Sequence, residues 1–157
     1  MKRAIALSDT HGNMAMVEKL LPLLLEADYV FHLGDGAADL SRYYKELQGK
    51  LFSVGGNCDV FFTGDREGVV EVEGVKVFYC HGHRYSVKRG TDELFTRAKE
   101  VGAQVALYGH THEARIDEVD GVTMINPGAL TRFTAKPSYC YLAFYGGKFT
   151  AKIVEIF

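Results

Sequence analysis

Short apolar runs and helix-like patterns alternate along the first half of the chain. Three apolar runs predict the strands Ala4–Leu7, Tyr29–Leu33 and Leu51–Val54. Apolar positions repeated at helical spacing predict the helices Met14–Glu26 and Leu40–Leu47. Asn13 and Asp39 stand where helix N-caps are expected, and Pro22 predicts a kink in the first helix. This half is therefore predicted to connect its strands through helices.

Paired strand patterns dominate the second half of the chain. Three hairpins are predicted, formed by Val69–Val72 with Val75–Cys80, by Arg115–Val119 with Val122–Ile125, and by Ser138–Tyr145 with Lys148–Ile156. The Asp-Gly pair at 120–121, inside the second hairpin, is typical of a type I′ turn. Between the first two hairpins we predict a helix at Asp92–Val101, with Thr91 as its N-cap, and a strand at Val105–Tyr108.

Helices between the early strands and hairpins near the end predict two β-sheets packed together, with the helices outside. The strand Ser138–Tyr145 is apolar on both faces, as expected of a strand enclosed between two layers. No Pro/Gly-rich linker, repeat or low-complexity segment divides the chain, so we expect a single domain over residues 1–157. The predicted class is a layered α/β or α+β fold.

Composition and charge narrow the class of protein. The 157 residues are 47% hydrophobic and 24% charged, as in an ordinary globular domain. No apolar run reaches the roughly 18 residues of a membrane span, and the apolar stretch that ends at Leu7 is too short for a signal peptide. The three cysteines lack CxxC spacing and support neither a disulfide framework nor a thiolate zinc site. The net charge of −2 disfavours strong binding to nucleic acids or anionic membranes. Because neither a membrane span nor a signal peptide is recognisable, we expect a cytoplasmic protein.

Side chains able to bind metals follow five predicted strands, at the point where each strand ends. They are Asp9 and His11, Asp35, Asn57, His81, and His110 with His112. In layered sheets, binding sites gather beyond the carboxyl ends of strands. Ordinary turn chemistry explains one Asp or Asn after a strand, but not four of the six histidines at such positions. We therefore predict a metal site.

The types and spacing of these side chains indicate which metals would bind. Residues i and i+2 of an extended chain point to the same side, so Asp9 and His11 could hold one ion. His110 and His112 could likewise reach one small region. Carboxylate, imidazole and amide ligands without thiolates suit Mn²⁺, Fe²⁺ or Zn²⁺. Seven ligands are too many for one tetrahedral zinc but suit two ions with a bridging carboxylate, a device for hydrolysing phosphate esters.

These blocks, in this order, resemble the signature motifs of the calcineurin-like metallophosphoesterases. The matching segments are Asp9-x-His11, Gly34-Asp35, Gly56-Asn57-x-Asp59, His81-Gly82 and Gly109-His110-Thr111-His112. The small size, Cys58 and the Asn-Pro-Gly turn at 126–128 are most similar to the small prokaryotic phosphodiesterase branch. The resemblance implies a four-layer αββα sandwich of two packed mixed β-sheets.

The resemblance also implies how the ligands are shared. The first ion would take Asp9, His11, Asp35 and His112, and the second would take Asp35, Asn57, His81 and His110. Asp35 would bridge the two. The implied cofactors are two divalent cations per chain, with Mn²⁺ favoured and Fe²⁺, Zn²⁺, Ni²⁺ or Co²⁺ as alternatives. The implied activity is hydrolysis of a small phosphodiester by a hydroxide that bridges the cations and attacks phosphorus in line.

Residues beside the ligands complete the candidate site. Many relatives have histidine in place of Cys58, where it donates a proton to the leaving group, and a thiol is a weaker hydrogen-bond donor. Asp59 is expected to orient its loop. His83 is the alternative proton donor, with a loop-stabilising role equally open. Arg84 is a candidate phosphate-binding residue, although a solvated loop arginine is the commoner case. The candidate catalytic residues are thus Asn57, Cys58, Asp59 and His83.

Two other functions stay open. The main alternative is a catalytically weak binding scaffold that keeps this fold, like the retromer subunit of the family. A nuclease is the third hypothesis, although no basic groove or capping domain is visible in so short a chain. We expect a small phosphoester as substrate and no membrane partner, and we leave a homo-oligomer open. His32, inside a predicted strand, is expected to be a buried, hydrogen-bonded structural residue.

Overall fold

The computed structural model describes residues 1–157 as ten strands, two α-helices and three short 3-10 helices. The strands are β1 (Lys2–Leu7), β2 (Tyr29–His32), β3 (Leu51–Ser53), β4 (Glu67–Val72), β5 (Val75–Cys80), β6 (Val105–Leu107), β7 (Arg115–Val119), β8 (Val122–Asn126), β9 (Ser138–Tyr145) and β10 (Lys148–Glu155). The α-helices are α1 (Met14–Glu26) and α2 (Asp92–Val101). The 3-10 helices are Ala37–Tyr43, His83–Tyr85 and Val87–Arg89. Every predicted strand is present, with its ends within two residues of the prediction.

The strands form two mixed sheets of five. The first has the order β10-β9-β1-β2-β3 and the second the order β4-β5-β6-β8-β7. In the first sheet β1, β2 and β3 run parallel, and in the second β5, β6 and β8 do so. The three predicted hairpins pair antiparallel, as β9 with β10, β4 with β5 and β7 with β8, whereas the outer strand β3 pairs parallel with β2. Each sheet therefore contains three neighbouring parallel strands, whose carboxyl ends lie at the same edge of the sheet.

Three separate hydrophobic clusters show that the molecule has four layers. One cluster fills the space between the two sheets, with Phe31, Val77 and Leu142 among its buried members. A second packs α1 against the outer face of the first sheet, and a third packs α2 against the outer face of the second. Three interfaces require four layers, in the order helix, sheet, sheet, helix. The expected αββα sandwich is confirmed, and β9 lies between layers as its two apolar faces predicted.

Local turn and cap predictions have mixed outcomes. The Asp-Gly turn between β7 and β8 is confirmed, because Asp120 and Gly121 both have positive φ, at 45° and 80°. Asn13 and Thr91 precede their helices but make no side-chain capping hydrogen bond. The Asn13 amide instead donates to the Leu130 carbonyl, 2.8 Å away. Sequence spacing thus located the helix starts but not the partners of their polar side chains.

The predicted helix Leu40–Leu47 with Asp39 as its cap is wrong. The chain forms the 3-10 helix Ala37–Tyr43, which buries Ala37 and Leu40 three residues apart, as the tighter 3-10 spacing requires. Asp39 lies inside this helix, and its carboxylate accepts hydrogen bonds from the Thr10 hydroxyl and the Gly12 N–H at 2.5 and 2.8 Å. Asp39 therefore fixes the loop that follows β1.

No helix in this chain has the length and apolar character needed to cross a membrane.

Candidate metal centre

The loops that follow the central strands of both sheets meet at one edge of the sandwich. Leu7 in β1 is level with His32 in β2, and Tyr79 in β5 is level with Leu107 in β6, so neighbouring strands end together. Beyond the strands, hydrogen bonds continue between loops: the Asp9 N–H donates to the Gly34 carbonyl at 2.9 Å. Strand register therefore delivers the predicted ligands to one place.

The first group of ligands consists of Asp9, His11 and His112, whose ligand atoms all lie within 4.8 Å of one another. The fully buried Asp9 carboxylate uses Oδ2 to accept from the Ser8 hydroxyl and the His110 N–H, at 2.5 and 3.1 Å. Its other oxygen, Oδ1, faces His112 Nε2 at 3.0 Å and His11 Nε2 at 3.6 Å. These contacts aim one carboxylate oxygen and two imidazoles at a common point.

The second group consists of Asp35, His81 and His110, with Asn57 beside them. His81 is fully buried, and its Nε2 lies 3.0 Å from Asn57 Oδ1 and 3.2 Å from His110 Nδ1. Burial, the neighbouring His81 and Lys88 lower the pKa of His110 to about 4. A neutral imidazole keeps the lone pair that a metal needs. His110 and His112 thus belong to different groups, although two residues apart.

Asp35 lies between the two groups. Its Oδ1 accepts from the Cys58 N–H at 2.8 Å. Its Oδ2 lies 3.3 Å from His81 Nε2 and 3.7 Å from His11 Nε2, so it faces one ligand from each group. Burial raises the pKa of Asp35, but the hydrogen bonds with His81 and the Cys58 N–H outweigh it and hold the pKa well below its usual range. The carboxylate is therefore ionised and placed for bridging.

The hydrogen bonds of His81 test whether these residues fit a metal. Its Nδ1 lies 2.7 Å from the Leu33 carbonyl, which can only accept, so Nδ1 carries the ring hydrogen. The hydrogen bond with Asp35 raises the pKa of His81 despite burial, but a bound cation would displace the Nε2 proton, and Nε2 would then offer a lone pair beside those of Asn57 Oδ1, Asp35 Oδ2 and His110 Nδ1. Lone pairs converge in this way when a cation lies among them, and a backbone hydrogen bond to the far nitrogen is typical of metal-bound histidine. The donor set fits divalent cations.

The backbone at five predicted ligands is left-handed. Non-glycine residues rarely have positive φ, yet the value is 54° at Asp9, 42° at His11, 56° at Asp35, 73° at His110 and 65° at His112. The expectation that Asp9 and His11 share a side because the chain is extended is therefore wrong in its geometry. Such backbone costs about 1–3 kcal/mol per residue and clusters at functional sites.

Two glycines allow the loops to approach closely. A Cβ on Gly34, whose φ is 99°, would lie 2.7 Å from the Gly56 nitrogen and 2.9 Å from His81 Nδ1. At Gly109 a Cβ would lie 2.7 Å from Asp9 Oδ2. Cβ atoms in proteins essentially never come so close to other heavy atoms, so any residue other than glycine at these positions would move a ligand.

Asp59 anchors the loops that carry Asp35 and Asn57. Its Oδ2 accepts from the N–H groups of Asp35 and Gly56 at 2.7 and 2.8 Å, and its Oδ1 accepts from those of Gly36 and Ala37 at 2.9 and 3.3 Å. Because both oxygens accept hydrogen bonds from loop N–H groups, the carboxylate holds these loops in place. This matches the orienting role expected for Asp59 rather than that of a proton donor.

Asp59→Asn is expected to weaken metal binding about 10–100-fold and to lower the melting temperature, because an amide nitrogen cannot accept the hydrogen bonds that one oxygen now takes. Metal titration and thermal unfolding of the metal-free protein measure the two effects. Asp65→Asn is the matched control, since Asp65 is exposed in the same loop and its side chain makes no hydrogen bond. Equal behaviour of the two variants would contradict the anchoring role.

The remaining candidate residues surround the second group. Cys58 is exposed, and its Sγ lies within 4.8 Å of ligand atoms of His11 and Asp35. The His83 ring centre is 5.3 Å from that of His81, and its Nδ1 is buried without a hydrogen-bond partner. Arg84 is exposed in the 3-10 helix His83–Tyr85 and forms no ion pair. The structure thus places Cys58 and His83 next to the ligands, whereas Arg84 is exposed and has no ion-pair partner.

His32 is a buried structural residue, as expected. The Gly34 N–H donates to its Nδ1 at 3.2 Å, so its Nε2 carries the hydrogen and donates to the Thr10 hydroxyl at 3.0 Å. That hydroxyl in turn donates to Asp39. The chain of hydrogen bonds fixes the loop between Asp9 and His11. Sequence reasoning missed Thr10, and its place between two ligands was the available signal.

The chain is similar in sequence to known phosphoesterases. The sequence profile described as "Calcineurin-like phosphoesterase superfamily domain" matches residues 1–146. A probable metallophosphoesterase of Mycoplasma pneumoniae is 32% identical, over 94% of this chain and 93% of its own. The protein named phosphodiesterase MJ0936, from Methanocaldococcus jannaschii, is 29% identical over 78% of this chain and 80% of its own.

Solved structures share the fold over nearly the whole chain. A conserved protein of Streptococcus pneumoniae, described as a predicted phosphoesterase, superposes with a TM-score of 0.82 and 26% identity, covering 98% of this chain and 89% of its own. Vps29 of Entamoeba histolytica, solved in complex with zinc, has a TM-score of 0.76 at 18% identity, covering 98% of both chains. The second likeness concerns the fold alone.

Proposed function

Because this chain belongs to the calcineurin-like phosphoesterase superfamily, we propose that it is a phosphodiesterase that uses two divalent cations to hydrolyse a small phosphodiester. The observation that carries the proposal is the position of Asp35 Oδ2, which lies 3.3 Å from His81 Nε2 and 3.7 Å from His11 Nε2. One carboxylate oxygen that faces a ligand from each group is what a pair of cations sharing a bridge requires.

Two bound cations would supply a nucleophile derived from water at neutral pH and positive charge next to the phosphoryl oxygens. The protein's own part is to hold the ligands in place. Asp9 and Asp35, both almost fully buried, provide the negative charge that retains the cations. The exposed side of the centre, where Asn57, Cys58 and His112 lie, is open to substrate. The proposed metal is Mn²⁺.

One feature bears on the leaving group of the substrate and another on the class of ester. Cys58 stands where many relatives have a histidine that protonates the leaving group, and a thiol donates weakly. The name of the relative phosphodiesterase MJ0936 supports a diester. We therefore propose a phosphodiester whose leaving group is acidic enough to depart with little help.

The binding-scaffold alternative rests on the shared fold of Vps29. Against it stands the cost of the site: two buried carboxylates and five left-handed residues are expensive to keep in a surface that only binds a partner. A nuclease has less support, because a net charge of −2 does not favour binding to the polyanionic backbone of a nucleic acid.

Hydrolysis of bis(p-nitrophenyl) phosphate tests the proposed function. Protein stripped with a chelator should be inactive and should regain activity when Mn²⁺ is added, while duplex and single-stranded DNA remain largely intact. Efficient degradation of DNA would favour the nuclease. Absence of turnover with Mn²⁺, Fe²⁺, Zn²⁺, Ni²⁺ and Co²⁺ would contradict the proposal and favour the scaffold.

A further inference from the structure

A stretch of the chain next to the metal centre is cationic and mostly unpaired. Between Val75 and Thr91 there is no acidic residue, and the two 3-10 turns after His81 carry Arg84, Lys88 and Arg89. All three are exposed, and none forms an ion pair or a side-chain hydrogen bond. Arg97 and Arg115, by contrast, are paired with Glu67 and Asp117. Unpaired cations in an overall acidic protein indicate attraction of an anion.

One of these cations lines a cleft. The cleft has a volume of about 320 Å³ and lies between the 3-10 turn at Val87–Arg89 and the loop after His110. Lys88, Thr91 and Thr111 provide an ammonium group and two hydroxyls. The volume is at the lower end of the roughly 300–1,000 Å³ of ligand pockets, which suits a small polar group.

The cleft adjoins the metal centre. Thr111, in its wall, stands between the predicted ligands His110 and His112. A group attached to a phosphate at the metals can therefore reach this cleft.

The other charges around the cleft decide what it can hold. Arg115 lines it but is engaged by Asp117, with Nε 2.5 Å from the carboxylate. Glu113 is the single acid in the wall and opposes an anion. Arg89 lines a neighbouring depression together with Asp92 and Glu93, which compensate its charge. Lys88 is thus the cation in the cleft wall that has no ion-pair partner.

We propose that this cleft binds a second phosphate group of the substrate, so that the preferred substrate is a phosphodiester that carries a further phosphate across a sugar-sized linker. Lys88 binds that phosphate, with the hydroxyls of Thr91 and Thr111 as further donors. The proposal rests on the proposed phosphodiesterase activity and deepens it. A Lys88 ammonium bound to a phosphate forms the kind of charge-assisted hydrogen bond that is shorter and stronger than a neutral one.

A matched pair of nitrophenyl esters tests the proposal. One is the 5′-(p-nitrophenyl) ester of thymidine 5′-phosphate, and the other differs only in an added 3′-phosphate. Because the leaving group is the same, the ratio of their kcat/KM values reports the added phosphate alone. The manganese-loaded wild type should prefer the 3′-phosphorylated ester by roughly tenfold, mainly through KM. A ratio near one in the wild type would overturn the proposal.

Variants assign the preference to Lys88. Lys88→Ala should bring the ratio close to one, Lys88→Arg should restore most of it, and Glu113→Gln should raise it above the wild-type value. Lys148→Ala is the control, because it removes the same charge at the hairpin between β9 and β10, at the opposite end of β1 from the metal centre. An unchanged ratio in Lys88→Ala, or an equal fall in Lys148→Ala at 0.15 M salt, would contradict the assignment.

Calorimetry separates failure of this inference from failure of the proposed function. If neither ester is hydrolysed, the phosphodiesterase proposal fails, but the cleft is still tested by the binding of thymidine 3′,5′-bisphosphate against thymidine 5′-phosphate. The bisphosphate should bind the manganese-loaded wild type roughly tenfold more tightly, and Lys88→Ala should lose that difference. If the esters are hydrolysed without any preference, the activity stands and the cleft proposal is wrong.

Discussion

Asp35→Asn lowers kcat for bis(p-nitrophenyl) phosphate by about 10³-fold or more, the largest loss expected from a single substitution. A neutral amide bridges two cations poorly, and the single buried charge that faces both groups of ligands is removed. A 10³-fold loss corresponds to about 4 kcal/mol of transition-state stabilisation. The measurement is kcat across a manganese titration, with circular dichroism to show that the variant is folded.

Asp9→Asn is the matched comparison for the bridging role. Asp9 Oδ1 faces His11 and His112, which belong to the first group only. Replacing Asp9 should therefore weaken the binding of one ion more than that of the other. Asp35→Asn should weaken the binding of both ions. If Asp9→Asn is far more damaging than Asp35→Asn, the bridge has been assigned to the wrong carboxylate.

Cys58→His raises the rate on substrates with basic leaving groups by about 10²-fold or more, because general acid catalysis typically contributes about 10²–10⁴-fold. In the wild type, the rate should fall steeply as the leaving group becomes more basic, since the thiol donates weakly. The gain should be small for nitrophenolate, which leaves unaided. A leaving-group series at saturating Mn²⁺, from nitrophenyl to alkyl diesters, gives the slope for both proteins.

Two further variants identify the proton donor. Cys58→Ala should cost little on nitrophenyl esters, and a large loss there would show that the thiol does more than occupy its position. His83 is the competing donor, because its buried Nδ1 has no partner and its ring lies beside His81. If Cys58→His leaves the slope unchanged and His83→Ala removes activity on basic esters alone, the acid is His83.

The fold was largely predictable because hydrophobic periodicity is strong in this chain. The ends of α1 and α2 agree with the prediction, and the apolar faces of β9 correctly placed it between layers. The helix Leu40–Leu47 was wrong because buried Ala37 and Leu40, three residues apart, belong to a 3-10 helix. Periodicity alone does not separate one turn of 3-10 helix from the start of an α-helix.

The candidate site was predictable in residue type and position but not in geometry. That Asp9, His11 and Asp35 follow strands is visible in the sequence. The left-handed backbone of these residues is not visible in the sequence, because it depends on contacts with loops far along the chain. For the same reason the spacing of His110 and His112 placed them in one small region, and only the family resemblance assigned them to different ions; the cleft beside Lys88 was not predicted. Such features arise when distant loops meet.

The number of metal ions bound per chain tests the central claim most directly. Metal-free protein reconstituted with Mn²⁺ and freed of excess ions should contain two manganese ions per chain by elemental analysis. Their electron paramagnetic resonance should show magnetic coupling, as expected for ions about 3.5–4 Å apart. One ion or none per chain, or two ions without coupling, would contradict a shared centre bridged by Asp35.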